Sequence, residues 1–180
     1  MIPESNLSSS IILDFWFAPE SKPFWFAKNK KFDNIIKDKF LTAYQDSCSD
    51  KLNSWEKTPD GMLSLIIIFD QFPRHLFRGF PQAFATDCKA LTLAKIAIKQ
   101  GEDKKLSDDK KRHFMYMPFM HSENIADQEL SLKLFNHAKY AIKHYNIIKK
   151  FGRFPHRNKI LNRSSTLKEI VFLAKPNSSF

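Results

Sequence analysis

With only four glycines in 180 residues, the chain has little of the backbone freedom that β-hairpin turns and glycine-rich phosphate loops require. Apolar residues recur at helical intervals almost throughout, so the pattern predicts an all-α fold. Ile11 to Phe17 forms a short apolar segment ending at Pro19. A helix over about 29–47 follows, with Phe32, Ile35, Ile36, Phe40, Ala43 and Tyr44 along one face, and residues 52–55 add a turn. Thr58-Pro59-Asp60 reads as an N-cap with proline at the first helical position. It opens a helix that runs to about Gln71 and stops at Pro73. Pro81 opens the next, with Phe84, Cys88, Leu91, Ala94 and Ile98 on its buried stripe and Gly101 as a left-handed terminator. Ser107 caps a helix that reaches Met117 and is interrupted or closed by Pro118. The longest helix is expected from about Ser122 to Lys150, with Gly152 as its terminator. Thr166 to Glu169 matches a capping box opening the last helix, and Pro176 to Phe180 reads as a frayed tail. Connections are short and no linker divides the chain, so residues 1–180 are expected to form one domain.

Eighteen phenylalanines, four tyrosines and three tryptophans would give such a domain a core built largely from rings, each burying about 150–250 Å². A chain of this length can bury roughly 70% of the surface its unfolded form exposes, so no disulfide or metal is needed to hold it. Cys48 and Cys88 belong to no CxxC or histidine-spaced zinc pattern and read as reduced thiols. The start, Met1 to Ser5, lacks the basic and apolar regions of a secretory signal. The longest apolar run, Leu65 to Phe69, falls far short of the roughly 20 residues of a membrane span. A cytoplasmic protein without a membrane partner is therefore expected. The formal net charge of +10 permits long-range attraction to anions. The lysines, however, are interleaved with acids, as at Lys104, Lys105, Asp108, Asp109, Lys110 and Lys111. No nucleic-acid motif or basic tail accompanies them, which argues against a nucleic-acid partner.

The arginines are distributed differently. There are six against 23 lysines, and five of the six fall between Arg74 and Arg78 or between Arg153 and Arg163. Both stretches mix arginine with proline, phenylalanine and histidine: Phe72-Pro73-Arg74-His75-Leu76-Phe77-Arg78-Gly79 and Phe151-Gly152-Arg153-Phe154-Pro155-His156-Arg157-Asn158. With Ile12 to Phe17, Asp70-Gln71, Tyr116 to Glu123, Asp127-Gln128 and Arg163 to Thr166, they make the chain resemble a bacterial family known as domain of unknown function 924, over about residues 11–173. The resemblance implies an all-α fold related to tetratricopeptide-like arrays, in which antiparallel helix pairs stack around a concave surface. It implies no activity, since none is established for the family. Asn162 stands where similar sequences are expected to carry glycine, and His75 where they are expected to carry asparagine.

The rigid guanidinium fork suits planar carboxylate and phosphate groups. Arg74, Arg78, Arg153, Arg157 and Arg163 have two readings: each neutralises the carbonyl end of a helix, or several converge on one anion pocket. His121-Ser122-Glu123 followed by Asp127 places an imidazole and two carboxylates at the expected start of the long helix, where Glu123 and Asp127 would share a face. The plain reading of the acids is a favourable first turn; the sharper one is acid-base work by His121 and Glu123. His156 is placed to face the same cavity. His-x-Glu alone fixes no third ligand, so no metal site is expected, and the missing glycine strings exclude a Rossmann or P-loop cofactor. No nucleophile elbow or histidine-paired cysteine is present. Asp70 reads as one half of a buried Asp-Arg pair. Trp16, Trp25, Tyr116, Phe119 and Phe154 read as core or as the lining of a ring-binding pocket. His137 and His144, seven apart, lie outside the site, and His113 is assigned to the surface.

The reading is thus a helical protein that binds a small anionic molecule through Arg74, Arg78, Asp127, Arg153 and Arg157. His121, Glu123 and His156 are the candidates for any catalysis, with Glu123 orienting an imidazole that exchanges a proton with the anion. The competing class is an interaction module whose helices present a groove to a peptide or protein partner.

Overall fold

The computed structural model describes residues 7–176 and Ser178. Expectations for residues 1–6 and for positions 177, 179 and 180 of the tail lie outside the described residues. Within them the chain is helical and contains no strand: α1 (Ser9–Phe17), α2 (Lys30–Cys48), α3 (Pro59–Ile66), α4 (Phe72–Leu76), α5 (Asp87–Lys99), α6 (Asp109–His121), α7 (Ile125–Leu134), α8 (Lys139–Phe151) and α9 (Leu167–Leu173). No described helix is long and apolar enough to cross a membrane. The chain divides into two compact units, Met1–Arg78 with Gln82–Pro118, and Gly79–Pro81 with Phe119–Phe180.

In the first unit the helix starts follow the capping residues. The Asn29 side chain accepts from the Phe32 amide at 3.0 Å. Thr58 accepts from the Gly61 amide at 3.1 Å, with Pro59 at the first helical position. Gly61 is required there, because a Cβ would fall 2.1 Å from the Trp55 carbonyl oxygen. The Ser64 hydroxyl ties α3 to α1 through the Ser9 carbonyl at 2.9 Å. Residues 61–73 are all buried, so this segment has no solvent face and forms the centre of the unit. Trp16, Phe40, Phe72 and Phe114 are sealed around it, Trp16 meeting Phe72 and Phe114 edge-on at 5.7 and 5.6 Å and Phe40 stacking on Phe72 at 5.0 Å.

Pro73 does not end this helix, contrary to the sequence reading. The chain widens into a π turn over Ile67–Gln71 and continues as α4. Proline lacks an N–H, and in a regular helix its missing donor would have served the carbonyl four residues back, that of Phe69. The Thr86 hydroxyl takes that place, donating to the Phe69 carbonyl at 2.6 Å, while the wider turn makes room for the ring. Pro118 likewise lies inside α6 rather than closing it, and α6 is capped by Asp108, whose carboxylate accepts from the Lys110 and Lys111 amides. Ile35 and Cys88, expected on buried stripes, are exposed.

The expected helix over 122–150 is two helices. Asn136 and His137 adopt left-handed φ values of 46° and 53°, the His137 amide returns to the Leu132 carbonyl at 2.8 Å, and α8 begins afresh at Lys139. Two consecutive residues with positive φ cannot continue a right-handed helix, so α7 and α8 form a helical hairpin within the second unit. α8 ends at Gly152, φ 69°, as the sequence predicts. Phe154 then packs against Ile147 and Ile148, with Phe151 and Phe172 beside them. Thr166 and Glu169 make the predicted capping box at the start of α9. Asn162, in the place where glycine is expected, takes φ 53°, a conformation asparagine tolerates better than most side chains.

Candidate functional site

Arg74 and Arg78 belong to the first unit; His121, Glu123, Asp127, Arg153, His156 and Arg157 belong to the second. In the first unit both arginines meet carboxylates. Arg74 donates to Asp70, which is wholly buried, and to Asp87, each at 3.0 Å, with its guanidinium over the Phe84 ring. The buried Asp70-Arg pair is the one expected from sequence. Arg78 grips Asp33 with two bonds of 2.8 Å, and His75 Nδ1 meets the same carboxylate at 2.8 Å. Burial draws the Asp33 pKa upward, but Arg78 and His75 outweigh it and hold the carboxyl below its ordinary value. Burial lowers the pKa of His75, and Asp33 only partly opposes this. Trp16 and Trp25 belong to this unit's ring cluster, and the Tyr116 hydroxyl donates to the buried Asp103 at 2.6 Å.

The second unit gathers basic groups around one ring. Phe154 is fully buried where the chain leaves α8, enters an extended residue and turns through Pro155–Arg157. The guanidinium of Arg157 lies 4.6 Å above its centroid, and the imidazoles of His144 and His156 each stand 5.6 Å from it. His121 adds a third imidazole, 6.4 Å from that of His144, and its carbonyl accepts from Arg157 Nη2 at 3.1 Å. Arg157 and His144 are buried, while His121 and His156 are half-buried.

Acidic residues brace this group from outside. Glu123 accepts the Phe154 amide at 2.8 Å and both Arg163 terminal nitrogens at 2.6 and 2.9 Å. Burial pushes its pKa up, yet Arg163, the Phe154 amide and the charge of Arg157 together keep it below the usual carboxylate range. Glu123 is therefore an anion that fixes the 154 segment, and its oxygens face Arg163 rather than an imidazole. It precedes the Asn124 cap, so only Asp127 stands in the first turn of α7, where it accepts from the Ser122 hydroxyl at 2.8 Å. Gln128 secures the connection by donating to the carbonyls of Met120 and Ser122, both at 2.7 Å. Arg153 is committed to Glu169, with bonds of 2.7 and 2.9 Å, and that contact first of all depresses Glu169 to about 2.

His144 is the member that sequence reasoning missed. Its Nδ1 contacts the Tyr140 carbonyl at 2.7 Å; a carbonyl can only accept, so Nδ1 carries the proton and Nε2 the lone pair. Burial, with His121, Arg157 and His156 adding like charge, lowers its pKa to about 3. The sequence signal was available in Asn136-His137: a break there folds α8 back and returns His144 toward His121, while His137 stays exposed in the turn. Among the described residues no group of three or more His, Cys, Asp or Glu side chains could hold a metal ion.

These features define an all-helical protein whose second unit sets two imidazoles and a guanidinium around one buried phenylalanine, with a third imidazole, that of His121, beside His144. Residues 12–177 match the model of the family described as bacterial protein of unknown function (DUF924), and the chain belongs to that family. Its fold is similar to the solved structure of a protein of unknown function from Agrobacterium tumefaciens, with 37% identity and a TM-score of 0.85 over 92% of this chain and 96% of the other. No curated protein matches.

Proposed function

We propose that the second unit binds a small anionic molecule, a phosphate or carboxylate compound, at the group formed by Arg157, His121 and His156, with neutral His144 packed between them as a support. The observation that supports this most is the gathering of Arg157, His144 and His156 on the Phe154 ring, with His121 beside His144. His121 and His156 are half-buried beside the buried Arg157, and a charge-assisted bond from such a group to an anion is worth about 1.5–3 kcal/mol. Arg153, Glu123 and Asp127 act as supports: Arg153 through Glu169, Glu123 through the Phe154 amide, and Asp127 through Ser122. Arg74 and Arg78, engaged with Asp70, Asp87 and Asp33, are assigned to stabilising the first unit. If chemistry follows binding, His121 or His156 is the group placed to exchange a proton with the anion.

Isothermal titration of the wild-type chain and of Arg157→Gln with inorganic phosphate and with succinate is the test. At least one titrant should bind wild type, and roughly tenfold or more of that affinity should be lost in the variant. No binding to wild type, or equal binding to both chains, would reject the proposal. A second reading, a peptide or protein partner, is favoured by α9, whose Leu167, Ile170 and Val171 are exposed at 81%, 52% and 62%, more apolar surface than a short solvated helix requires.

A further inference from the structure

The first unit contains an open cavity of about 360 Å³ with Phe69, Leu93 and Ile96 among its lining and three charged side chains, Asp50, Glu56 and Lys89. Its size is that of small-molecule sites, about 300–1,000 Å³. Phe69 and Leu93 are buried and belong to the core, while Ile96 is half-buried.

The chain's own Lys89 indicates which charge the cavity favours. Its ammonium donates to the Cys48 carbonyl and to Asp50 Oδ1, each at 3.2 Å, and lies 5.6 Å from the centre of the Phe69 ring. A carbonyl oxygen, a carboxylate and a ring face each stabilise a cation. Glu56 supplies another carboxylate, so two carboxylates against one ammonium leave one negative charge in the lining, within a chain of formal net charge +10. The Lys89-Asp50 pair is solvated, with side-chain exposures of 46% and 68%. Such a pair contributes little and exchanges readily with another cation.

We propose that this cavity binds a small organic cation, a protonated primary amine carried on an apolar ring or short chain. The guest ammonium takes the position between Asp50, the Cys48 carbonyl and the Phe69 face, Lys89 swings into solvent, and the apolar body rests on Leu93 and Ile96. Glu56 offers the guest a second anionic contact. The site is of opposite sign to the one proposed in the second unit and does not depend on it.

Cys88 is exposed and lines the same cavity, so its alkylation by iodoacetamide, followed on the full chain by mass spectrometry, reports occupancy. The probe is phenethylamine, with 2-phenylethanol and phenylacetate as neutral and anionic counterparts of similar size. Phenethylamine is expected to slow Cys88 alkylation saturably, and the other two to protect far less. Lys89→Gln should tighten amine binding roughly two- to fivefold by removing the internal competitor, and Asp50→Asn and Glu56→Gln should each weaken it by a similar factor. Equal protection by all three probes, no protection by phenethylamine at millimolar concentration, or weaker amine binding in Lys89→Gln would overturn the proposal.

Discussion

Arg157 and Arg163 lie six positions apart and do different work. Arg163 closes a two-pronged pair with Glu123 and also reaches the Phe154 carbonyl and Asn158, so it holds the 154–163 segment in shape. Arg157 lies over the ring itself. Substituting Arg163→Gln leaves the half-buried Glu123 charge without its main partner, and urea denaturation should register a loss of about 1.5–3 kcal/mol. A loss below about 0.5 kcal/mol would mean that the pair behaves as a solvated surface contact. The crowding of arginine into two stretches was legible in the sequence because composition alone displays it. The acids that meet them were not, since Glu123 is 40 positions from Arg163 and Asp33 is 45 from Arg78, and such pairings depend on how the helices pack.

At the scale of elements, the local signals that proved reliable are those with a short-range cause. Thr58, Gly101, Gly152 and the Thr166-Glu169 box all terminate or start helices as expected, because capping is decided within four residues. Proline misled, since its cost depends on what serves the carbonyl it abandons. At Pro73 that substitute is Thr86, 17 positions from the Phe69 carbonyl it serves, and no local rule shows it. Thr86→Val keeps the shape and removes the donor, so it should destabilise the chain by about 1–3 kcal/mol in denaturant titration. An unchanged midpoint would refute the assigned role of the hydroxyl. The turn at Asn136-His137 was legible only in part: asparagine tolerates positive φ, but neither glycine nor proline marks the break. An unbroken helix would separate His144 from His121; the break brings their rings to 6.4 Å.

Over the whole molecule, acid should be more damaging than the chain's positive charge alone requires. His144 has a folded pKa of about 3 against an ordinary 6.5, so the unfolded chain binds a proton there first. Its contribution is complete above pH 6.5 and is lost as pH falls toward 3, at up to about 1.4 kcal/mol per pH unit. Glu169, depressed from 4.5 to about 2, loses its contribution in the same direction over the lower range. His144→Phe should flatten stability against pH between 6.5 and 3, as measured by urea midpoints, and an unaltered slope would show that His144 does not govern it.

The most direct test of the proposed site is a histidine-imidazole NMR titration of the wild-type chain with inorganic phosphate at fixed pH. The six histidines divide into His121, His144 and His156 near Phe154 and His75, His113 and His137 elsewhere. Saturable shifts confined to the first three are the expected result. Imidazoles that stay still, or shifts confined to the other three, would contradict an anion site built on Phe154.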